Sequence, residues 1–441
     1  MRHTGRGKPA LWMAALACGL AALTGCGNPG ESADQPNTPK NTKIDPASFK
    51  GKTLTYVYFT DGPDEQATRS LIAKFEQETG AKVNLQILPF DDLLNSLQAR
   101  LSGGNAPEVA RVQDVHPFRD DLVDLSAYFG KDYANQFLPG PLTGARGANG
   151  ELLAVPSDLT MNGPFVNVDQ FKKAGVPLPT AEKPWTFDEM VKAAEKVQQA
   201  NKTEFAIAID KSGHRVSTVL SEYGTTLIGK DGKEALDPAK AQKAIGTLTD
   251  LMRQDKMSRD FWLESGSKYK GANDIFLAGA VPVYISGNWQ VSQFAKAAKF
   301  QWAAVPNPCA ERCGGFPGGK YMAAFRDSKN PELGAYFVQW MNKTENQQAM
   351  DRDSLFLPTR RDLAKTGIDY PDRNEDMKVF LGDIAKTPED GYSTVANPAF
   401  TGSATALVDE MSKVVAGKED VAAAVSAIKK ETSSLVEETS R

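Results

Sequence analysis

The chain has 441 residues, of which 41% are hydrophobic, 24% are charged and 9% are aromatic. This composition is typical of a globular protein, and the length is too great for one compact core but sufficient for two domains or lobes. The formal net charge is −4 and no basic tract is interleaved with aromatic residues, so we expect no nucleic-acid partner. Three histidines and four cysteines, scattered without ligand spacing, predict neither a metal site nor a metal cofactor.

The N-terminal segment has the pattern of an export signal. Basic residues precede an apolar run, Ala10–Leu23, that is too short to span a bilayer. The run ends in Leu23–Cys26, which resembles the bacterial lipobox, whose cysteine receives a diacylglyceryl group before cleavage. We therefore predict a signal peptide over residues 1–25, lipidation of Cys26 and a flexible, turn-rich tether over 26–44. The folded part is then expected outside the cytoplasm, anchored by lipid to the cell membrane.

The mature chain has one pair of cysteines that can form a disulfide. Cys18 leaves with the signal and Cys26 carries the lipid, so that only Cys309 and Cys313 remain, in a loop rich in proline and glycine. Outside the cytoplasm, such a C-x3-C pair is expected to form a disulfide. A zinc half-site is the alternative, but the mature chain offers only two histidines as further ligands.

After the tether, strand-like and helix-like patterns alternate, which predicts an α/β architecture. The order β-α-β-α-β in the first part of the chain is typical of a parallel sheet. A second series of strands and helices begins near residue 152, and the C-terminal third is mostly helical. The predicted strands are 54–59, 83–87, 108–113, 205–209, 281–285 and 301–305, and the longer predicted helices are 64–79, 91–101, 186–199, 238–252 and 332–341.

Segments that resemble catalytic motifs lack the other residues that the chemistry of those motifs needs. Gly224–Lys230 has the glycine and lysine spacing of a phosphate-binding loop, but Asp231 stands where the magnesium-binding Ser or Thr belongs. A Ser-His-Asp hydrolase is disfavoured because the mature chain has two histidines and no G-x-S-x-G motif. Glycoside hydrolysis needs only two carboxylates, so a secreted carbohydrate-active enzyme stays open as the rival class.

Five segments follow a common pattern in order and spacing: Phe75–Val83, Gly103–Val109, Leu152–Glu189, Phe276–Val281 and Ser286–Trp289. Together they resemble the extracellular solute-binding proteins of ABC importers, in the maltose-binding-like, sugar-recognising group. The last two segments resemble the F-x-x-G-x-A-x-M…G-x-W motif of that group, with departures at Val281 and Pro282. The resemblance spans nearly the whole mature chain.

The resemblance implies a two-lobed α/β fold of the periplasmic-binding-protein-like type, with a ligand cleft between the lobes and a hinge of crossing segments. It assigns residues 45–159 and 304–344 to lobe 1, and residues 160–303 and 345–441 to lobe 2. It further implies a monomeric lipoprotein that captures a mono- or oligosaccharide, amino sugars included, and delivers it to ABC permease subunits without breaking a bond or using a cofactor. A glycerophosphodiester or sugar phosphate is the alternative ligand.

Sugar recognition needs polar groups for the hydroxyls and aromatic faces for the pyranose rings. The G-x-W motif points to Trp289 as a stacking platform, with a core tryptophan as the structural alternative. Asp61 and Asp114 follow the first and third strands, at the edge where open α/β sheets bind ligands, although turn and cap roles stay open. The resemblance adds further candidate contacts, of which Arg360 would suit an anionic solute. These are Glu222, Tyr223, Gly318, Gly319, Tyr321, Phe400, Asp158 and Arg360.

Overall fold

A computed structural model of the chain describes residues 44–61 and 63–439. The predicted signal peptide, the lipidation of Cys26 and the tether up to residue 43 lie outside the described residues. Among the helices within this range, none is both long enough and apolar enough to cross a membrane.

The strands form one mixed sheet in the order β2-β1-β3-β8-β4-β6-β5, with β7 paired to β4. As predicted for the β-α-β-α-β order, β1 runs parallel to both β2 and β3. The strand β8 is antiparallel to β3 and β4. The strands are β1 Thr53–Tyr58, β2 Lys82–Ile87, β3 Val109–Val112, β4 Val155–Asn167, β5 Ile207–Ile209, β6 Val283–Gly287, β7 Trp302–Ala304 and β8 Pro317–Ala324.

The long strand β4 joins two parts of this sheet. Its first half, as far as Met161, pairs with β8, and its second half, from Asn162, pairs with β6 and β7. We call the part formed by β1–β3, β8 and the first half of β4 lobe 1. The part formed by β5–β7 and the second half of β4 is lobe 2. The chain therefore first crosses between the lobes at Met161 and Asn162.

Helices account for most of the remaining elements, and several begin or end where the sequence predicts. A capping box between Thr186 and Glu189 opens α6, and Gly80 ends α1 in the left-handed conformation, with φ 69°. The helices are α1 Asp64–Thr79, α2 Phe90–Ser102, α3 Leu125–Phe129, α4 Pro139–Leu142, α5 Val168–Ala174, α6 Phe187–Asn201, α7 Gly213–Glu222, α8 Pro238–Arg253, α9 Arg259–Trp262, α10 Ala272–Leu277, α11 Gln290–Ala297, α12 Pro331–Met341, α13 Thr344–Ser354, α14 Arg361–Thr366, α15 Asn374–Lys386, α16 Glu389–Val395, α17 Phe400–Val415 and α18 Val421–Thr439.

Each lobe buries apolar side chains on both faces of its strands, because successive strand residues point to opposite sides. In lobe 1, Tyr56 packs into one core with Phe75 and Trp340, whereas its neighbour Val57 packs into a second core with Phe118. Lobe 2 is built in the same way. One of its cores contains Met190, Ile207, Leu248, Trp262 and Met411, and the other contains Phe165, Phe276, Tyr284, Phe294 and Trp302.

Part of the segment 345–366, which was predicted to lie in lobe 2, packs against lobe 1. The helix α13 lies against α1 of lobe 1, and Met350 joins the core around Phe75. The Thr359 hydroxyl donates a hydrogen bond of 2.6 Å to the carbonyl of Pro156 in β4. The chain has reached lobe 2 at α15, where Asp376 accepts a hydrogen bond from the backbone N–H of Ala304. The segment after residue 345 therefore contacts both lobes, since Leu355 and Leu357 join the lobe 2 core around Phe165.

The two cysteines of the C-x3-C loop are joined, as predicted, with their Cα atoms 4.3 Å apart. The loop is held to lobe 2 by backbone hydrogen bonds from Cys309 to Trp185 and from Glu311 to Glu222, of 2.7 and 3.3 Å. The disulfide thus closes a short loop that already rests on the lobe 2 core.

Candidate functional site

On lobe 1, a cluster of charged side chains lies where the central strands end. Asp61 follows β1, and its Oδ2 atom is 2.6 Å from Nζ of Lys320 on β8 and 3.7 Å from Nη2 of Arg111 on β3. Oδ2 is buried, and the Lys320 ammonium lies within hydrogen-bond distance of it. The Asp61 carboxylate is therefore paired by charge with both cations.

The predicted candidate Asp158 lies beneath this cluster. It is 2% exposed, and both of its oxygens accept hydrogen bonds of 3.1 Å from Nη2 of Arg111. Arg111 is itself buried and also donates to the carbonyl of Phe59 at 2.9 Å. The pair Arg111–Asp158 is thus a support for the strand ends, because neither side chain is free to reach a solute.

The ionisation of Asp61 follows from these neighbours. Burial alone would raise the pKa of Asp61, but the positive charges of Lys320 and Arg111 outweigh it and hold the pKa below its ordinary value. For the neighbouring carboxyl of Asp64, burial prevails over the charge of Arg111 and raises the pKa. Asp61 is therefore the ionised acceptor of this cluster at neutral pH.

On lobe 2, the corresponding cluster is centred on Arg215 in the first turn of α7. Its Nε donates to Oδ2 of Asp210 at 3.1 Å, and its Nη1 donates to Oδ1 of Asn162 at 3.2 Å. Asp210 directly follows β5 and also accepts hydrogen bonds from the hydroxyls of Tyr284 and Ser286, at 2.5 and 2.8 Å. The guanidinium of Arg215 is held in place by β4 and by the end of β5.

Trp289 lies next to Arg215, half-buried, in the turn that follows β6. The carbon at the centre of the Arg215 guanidinium is 4.3 Å from the centre of the tryptophan ring. The ring also packs against Gly287, where a Cβ atom would come within 2.1 Å of it. Asn288 fixes the turn to β4, since its Oδ1 accepts a hydrogen bond of 3.0 Å from the N–H of Met161. The glycine of the G-x-W motif is therefore needed because the ring occupies the space of a side chain.

The charges of the two clusters act on each other. The charge of Arg215 contributes to lowering the pKa of Asp61. Burial lowers the pKa of His214 to about 3, and the charges of Arg215 and Lys320 act in the same direction, so that His214 is neutral. The two clusters therefore lie within range of each other's charge. We call six of their residues the cleft cluster: Asp61, Asn162, Asp210, Arg215, Trp289 and Lys320.

A second group of predicted residues lines a small cavity of about 20 Å³ beside the cleft cluster. Gly318 and Gly319 lie on β8, with Tyr321 one residue beyond Lys320, and Asp114 and His116 lie beyond the end of β3. Asp114 Oδ1 accepts a hydrogen bond of 3.0 Å from the N–H of His116, which is a turn-capping role. The Tyr321 hydroxyl donates to the carbonyl of Pro141 at 3.2 Å, so it is already occupied.

Three predicted residues lie inside lobe 2. Tyr223 packs in the lobe 2 core, its hydroxyl donates to Asp188 at 2.8 Å, and burial raises its pKa to about 12. Glu222 is buried, and this burial raises its pKa well above the ordinary value. Phe400 is 2% exposed and lies behind His214, with the two ring centres 4.8 Å apart. The structure thus places these side chains in or behind the wall of the cleft.

Arg360 lies on lobe 1, away from the cleft cluster. Its guanidinium donates to Asp362 at 3.0 Å, to Gln136 at 3.0 Å and to the carbonyl of Asn342 at 3.0 Å. These contacts hold this part of the chain on lobe 1. Because the Arg360 guanidinium is already hydrogen-bonded there, its position does not support a role in binding an anionic solute.

Five residues of these clusters were not among the predicted site residues: Arg111, Asn162, Asp210, Arg215 and Lys320. A signal was present for Asp210, because it follows the predicted strand 205–209 in the same way that Asp61 and Asp114 follow theirs. Among the described residues, no group of three or more His, Cys, Asp or Glu side chains is arranged to hold a metal ion.

Comparison with known proteins agrees with this architecture. Residues 60–348 match the family described as bacterial extracellular solute-binding protein. The multiple sugar-binding protein of Streptococcus mutans is 22% identical over 398 residues, which cover 82% of this chain and 89% of that protein. The maltodextrin-binding protein MdxE of Bacillus subtilis is 23% identical, with coverage of 71% and 75%.

A similar fold is found among solved structures. The GacH receptor of Streptomyces glaucescens, described in the unliganded form and in complex with acarbose, superposes with a TM-score of 0.73 at 19% identity, covering 88% of this chain and 99% of that one. The predicted two-lobed α/β fold is confirmed by this likeness. Since the family match covers more than half of its length, the chain belongs to the bacterial extracellular solute-binding proteins.

Proposed function

We propose that the chain captures a neutral carbohydrate between its lobes and delivers it to the permease subunits of an ABC transporter. The observation that carries the proposal is the composition of the cleft cluster. It sets two carboxylates, Asp61 and Asp210, and two cations, Lys320 and Arg215, around a half-buried tryptophan. Sugar hydroxyls both donate and accept hydrogen bonds, and so they satisfy such a mixed set.

The charge balance of the cleft cluster favours a neutral solute over an anionic one. Each cation is already paired, Lys320 with Asp61 at 2.6 Å and Arg215 with Asp210 at 3.1 Å. A phosphate group would bring a further negative charge beside both carboxylates, with no unpaired cation in the cluster to receive it. A mono- or oligosaccharide, with or without amino groups, fits better than a sugar phosphate or glycerophosphodiester.

The relatives support the same class of ligand, since their names refer to multiple sugars and to maltodextrin. With this ligand we propose the full role predicted from the sequence: a monomer, anchored through lipid on Cys26, that closes around the sugar by a hinge motion and breaks no bond. The rival role, a glycoside-active enzyme, requires a free acid and a free base, whereas both carboxylates of the cleft cluster are held in ion pairs.

Thermal unfolding of the mature protein against a panel of sugars tests the proposal. The panel contains maltose, maltotriose, N,N′-diacetylchitobiose and glycerophosphocholine, in a detergent that has no sugar headgroup. A sugar at about a hundred times its Kd should stabilise the protein by about 2.7 kcal/mol and be recovered unchanged. Consumption of a sugar would support the enzyme instead, and a shift with glycerophosphocholine alone would overturn the neutral-sugar proposal.

A further inference from the structure

Arg215 occupies the position in which the sequence analysis expects a sugar ring. Its guanidinium lies over the Trp289 ring, 4.3 Å from the ring centre, and is fixed at its edge by Asp210 and Asn162. A sugar that stacked on this face of the ring would have to displace the guanidinium. It would then break two charge-assisted hydrogen bonds, one of them within an ion pair, and one cation–π contact for a single stacking contact. The guanidinium is therefore expected to stay in place when a solute binds.

The fixed guanidinium still has hydrogen-bond donors to offer. A guanidinium carries five N–H groups, and within the described residues the acceptors of Arg215 are Asp210 and Asn162. Its side chain is 17% exposed, and among the described residues no further acceptor takes its remaining N–H groups. On the opposite lobe, Oδ2 of Asp61 is already paired with Lys320 at 2.6 Å.

We propose that Arg215, rather than the Trp289 ring, is the lobe 2 side chain that binds the sugar. A sugar hydroxyl can accept a hydrogen bond from the guanidinium N–H groups that Asp210 and Asn162 leave unused. Trp289 is then a positioning residue, which holds the guanidinium flat and aims its free N–H groups. This inference rests on the proposed function, because it concerns the same cleft.

Isothermal titration of the mature protein with maltose, maltotriose and N,N′-diacetylchitobiose tests the binding role. Arg215→Met should weaken the binding of the sugar that binds by about 10- to 100-fold, since a hydrogen bond to a charged group is lost. Arg215→Lys should restore little, because an ammonium cannot reproduce the fork of donors. Trp289→Phe should weaken binding by less than about threefold, because phenylalanine keeps an aromatic face under the guanidinium.

The control is Arg69→Met, which removes an exposed arginine paired with Glu65 on α1 and should leave the sugar affinity unchanged. Unaltered or tighter binding by Arg215→Met, together with a loss of about tenfold or more in a folded Trp289→Phe protein, would show that the ring is the platform and overturn the proposal.

A second measurement needs no sugar. Acrylamide quenching of Trp289 fluorescence is obtained as the difference between a protein and its Trp289→Phe counterpart. Arg215→Ala should increase this quenching, because the guanidinium no longer covers the ring. Unchanged quenching would refute the positioning role. If the wild-type protein binds no sugar of the panel, the proposed function fails, and the quenching result still decides whether Arg215 covers Trp289.

Discussion

Asp383 fastens the second crossing between the lobes, and its replacement by asparagine should alter how stability depends on pH. The side chain lies in α15 and is 2% exposed. Its Oδ2 atom accepts hydrogen bonds from the backbone N–H of Asn307 at 3.1 Å and from the Asn307 side chain at 2.8 Å. The same side-chain nitrogen of Asn307 donates to the carbonyl of Asn162 in β4 at 2.7 Å. Asp383 is therefore an anchor for the segment that returns from lobe 2 to lobe 1.

The size and sign of the effect follow from the pKa. Burial raises the pKa of Asp383 from 3.8 to about 6, although the hydrogen bonds from Asn307 and the charge of Lys386 act against it. A shift of roughly two pKa units corresponds to about 3 kcal/mol. Between pH 4 and pH 6 the folded state binds more protons than the unfolded state, so the free energy of unfolding falls as the pH rises. Asparagine keeps an acceptor oxygen but cannot ionise. The fall in the free energy of unfolding that Asp383 causes should therefore be absent from Asp383→Asn.

Urea unfolding of the wild type and of Asp383→Asn at intervals from pH 4 to pH 8 measures the effect. The free energy of unfolding of the variant should rise by about 2 kcal/mol relative to the wild type between pH 4 and pH 7, since the unfolded carboxyl is already partly ionised at pH 4. Asp327→Asn, which changes an exposed acid in the turn after β8, should give a curve parallel to the wild type. Other buried acids whose pKa is raised, such as Asp351, are present in both proteins and cancel in the difference. Parallel curves for Asp383→Asn, or a difference of opposite sign, would refute the reasoning.

Three further substitutions test separate parts of the architecture. Arg111→Met leaves Asp158 buried without its partner and should lower the free energy of unfolding by about 3–5 kcal/mol, as measured in urea. Removing the disulfide with Cys309→Ser and Cys313→Ser should lower the free energy of unfolding by about 2 kcal/mol, because the closed loop is short. The wild-type protein in reducing buffer should lose the same amount. Gly287→Ala places a methyl group against the neighbouring tryptophan ring and should cost about 1–3 kcal/mol, with a changed tryptophan emission.

Local patterns in the sequence predicted the elements well, because they depend on residues that are close in the chain. A run of β-favouring residues predicted β1, the alternation of Val83, Leu85 and Ile87 predicted β2, and the pair Thr186 and Glu189 predicted the capping box that opens α6. The disulfide between Cys309 and Cys313 followed from elimination among few cysteines. Each of these predictions needed information from a short window or from composition alone.

The predictions that depended on long-range packing were less successful. Residues 345–366 were assigned to lobe 2, whereas Gln347 and Thr359 hold part of this segment to lobe 1 through hydrogen bonds with each other and with β4. Arg360 was a candidate for a solute, but Asp362, two residues along the chain, takes its guanidinium. No periodicity in the sequence predicts which of the two lobes a polar side chain will contact.

The cleft cluster was difficult to predict for the same reason. Arg215 has an ordinary place in the first turn of an amphipathic helix, and its role depends on Asp210, Asn162 and Trp289, which come from three other segments. The G-x-W motif located the tryptophan, but it carried no information about the cation that covers it. The sequence motif therefore pointed to one residue of the cleft cluster, and the contacts between segments decide what each side chain touches there.

Asn162 connects the cleft cluster to the crossing segments. Its side chain accepts a hydrogen bond from Arg215 at 3.2 Å and donates to the carbonyl of His214 at 3.0 Å, so it holds the start of α7. Its backbone carbonyl accepts from Asn307, which Asp383 fastens in turn. Asn162 also lies at the point where β4 passes from lobe 1 to lobe 2. If a bound solute shifts the Arg215 guanidinium, the hydrogen bond to Asn162 transmits the shift directly to this crossing point. Asn162 therefore connects the proposed sugar-binding side chain to the crossing segments.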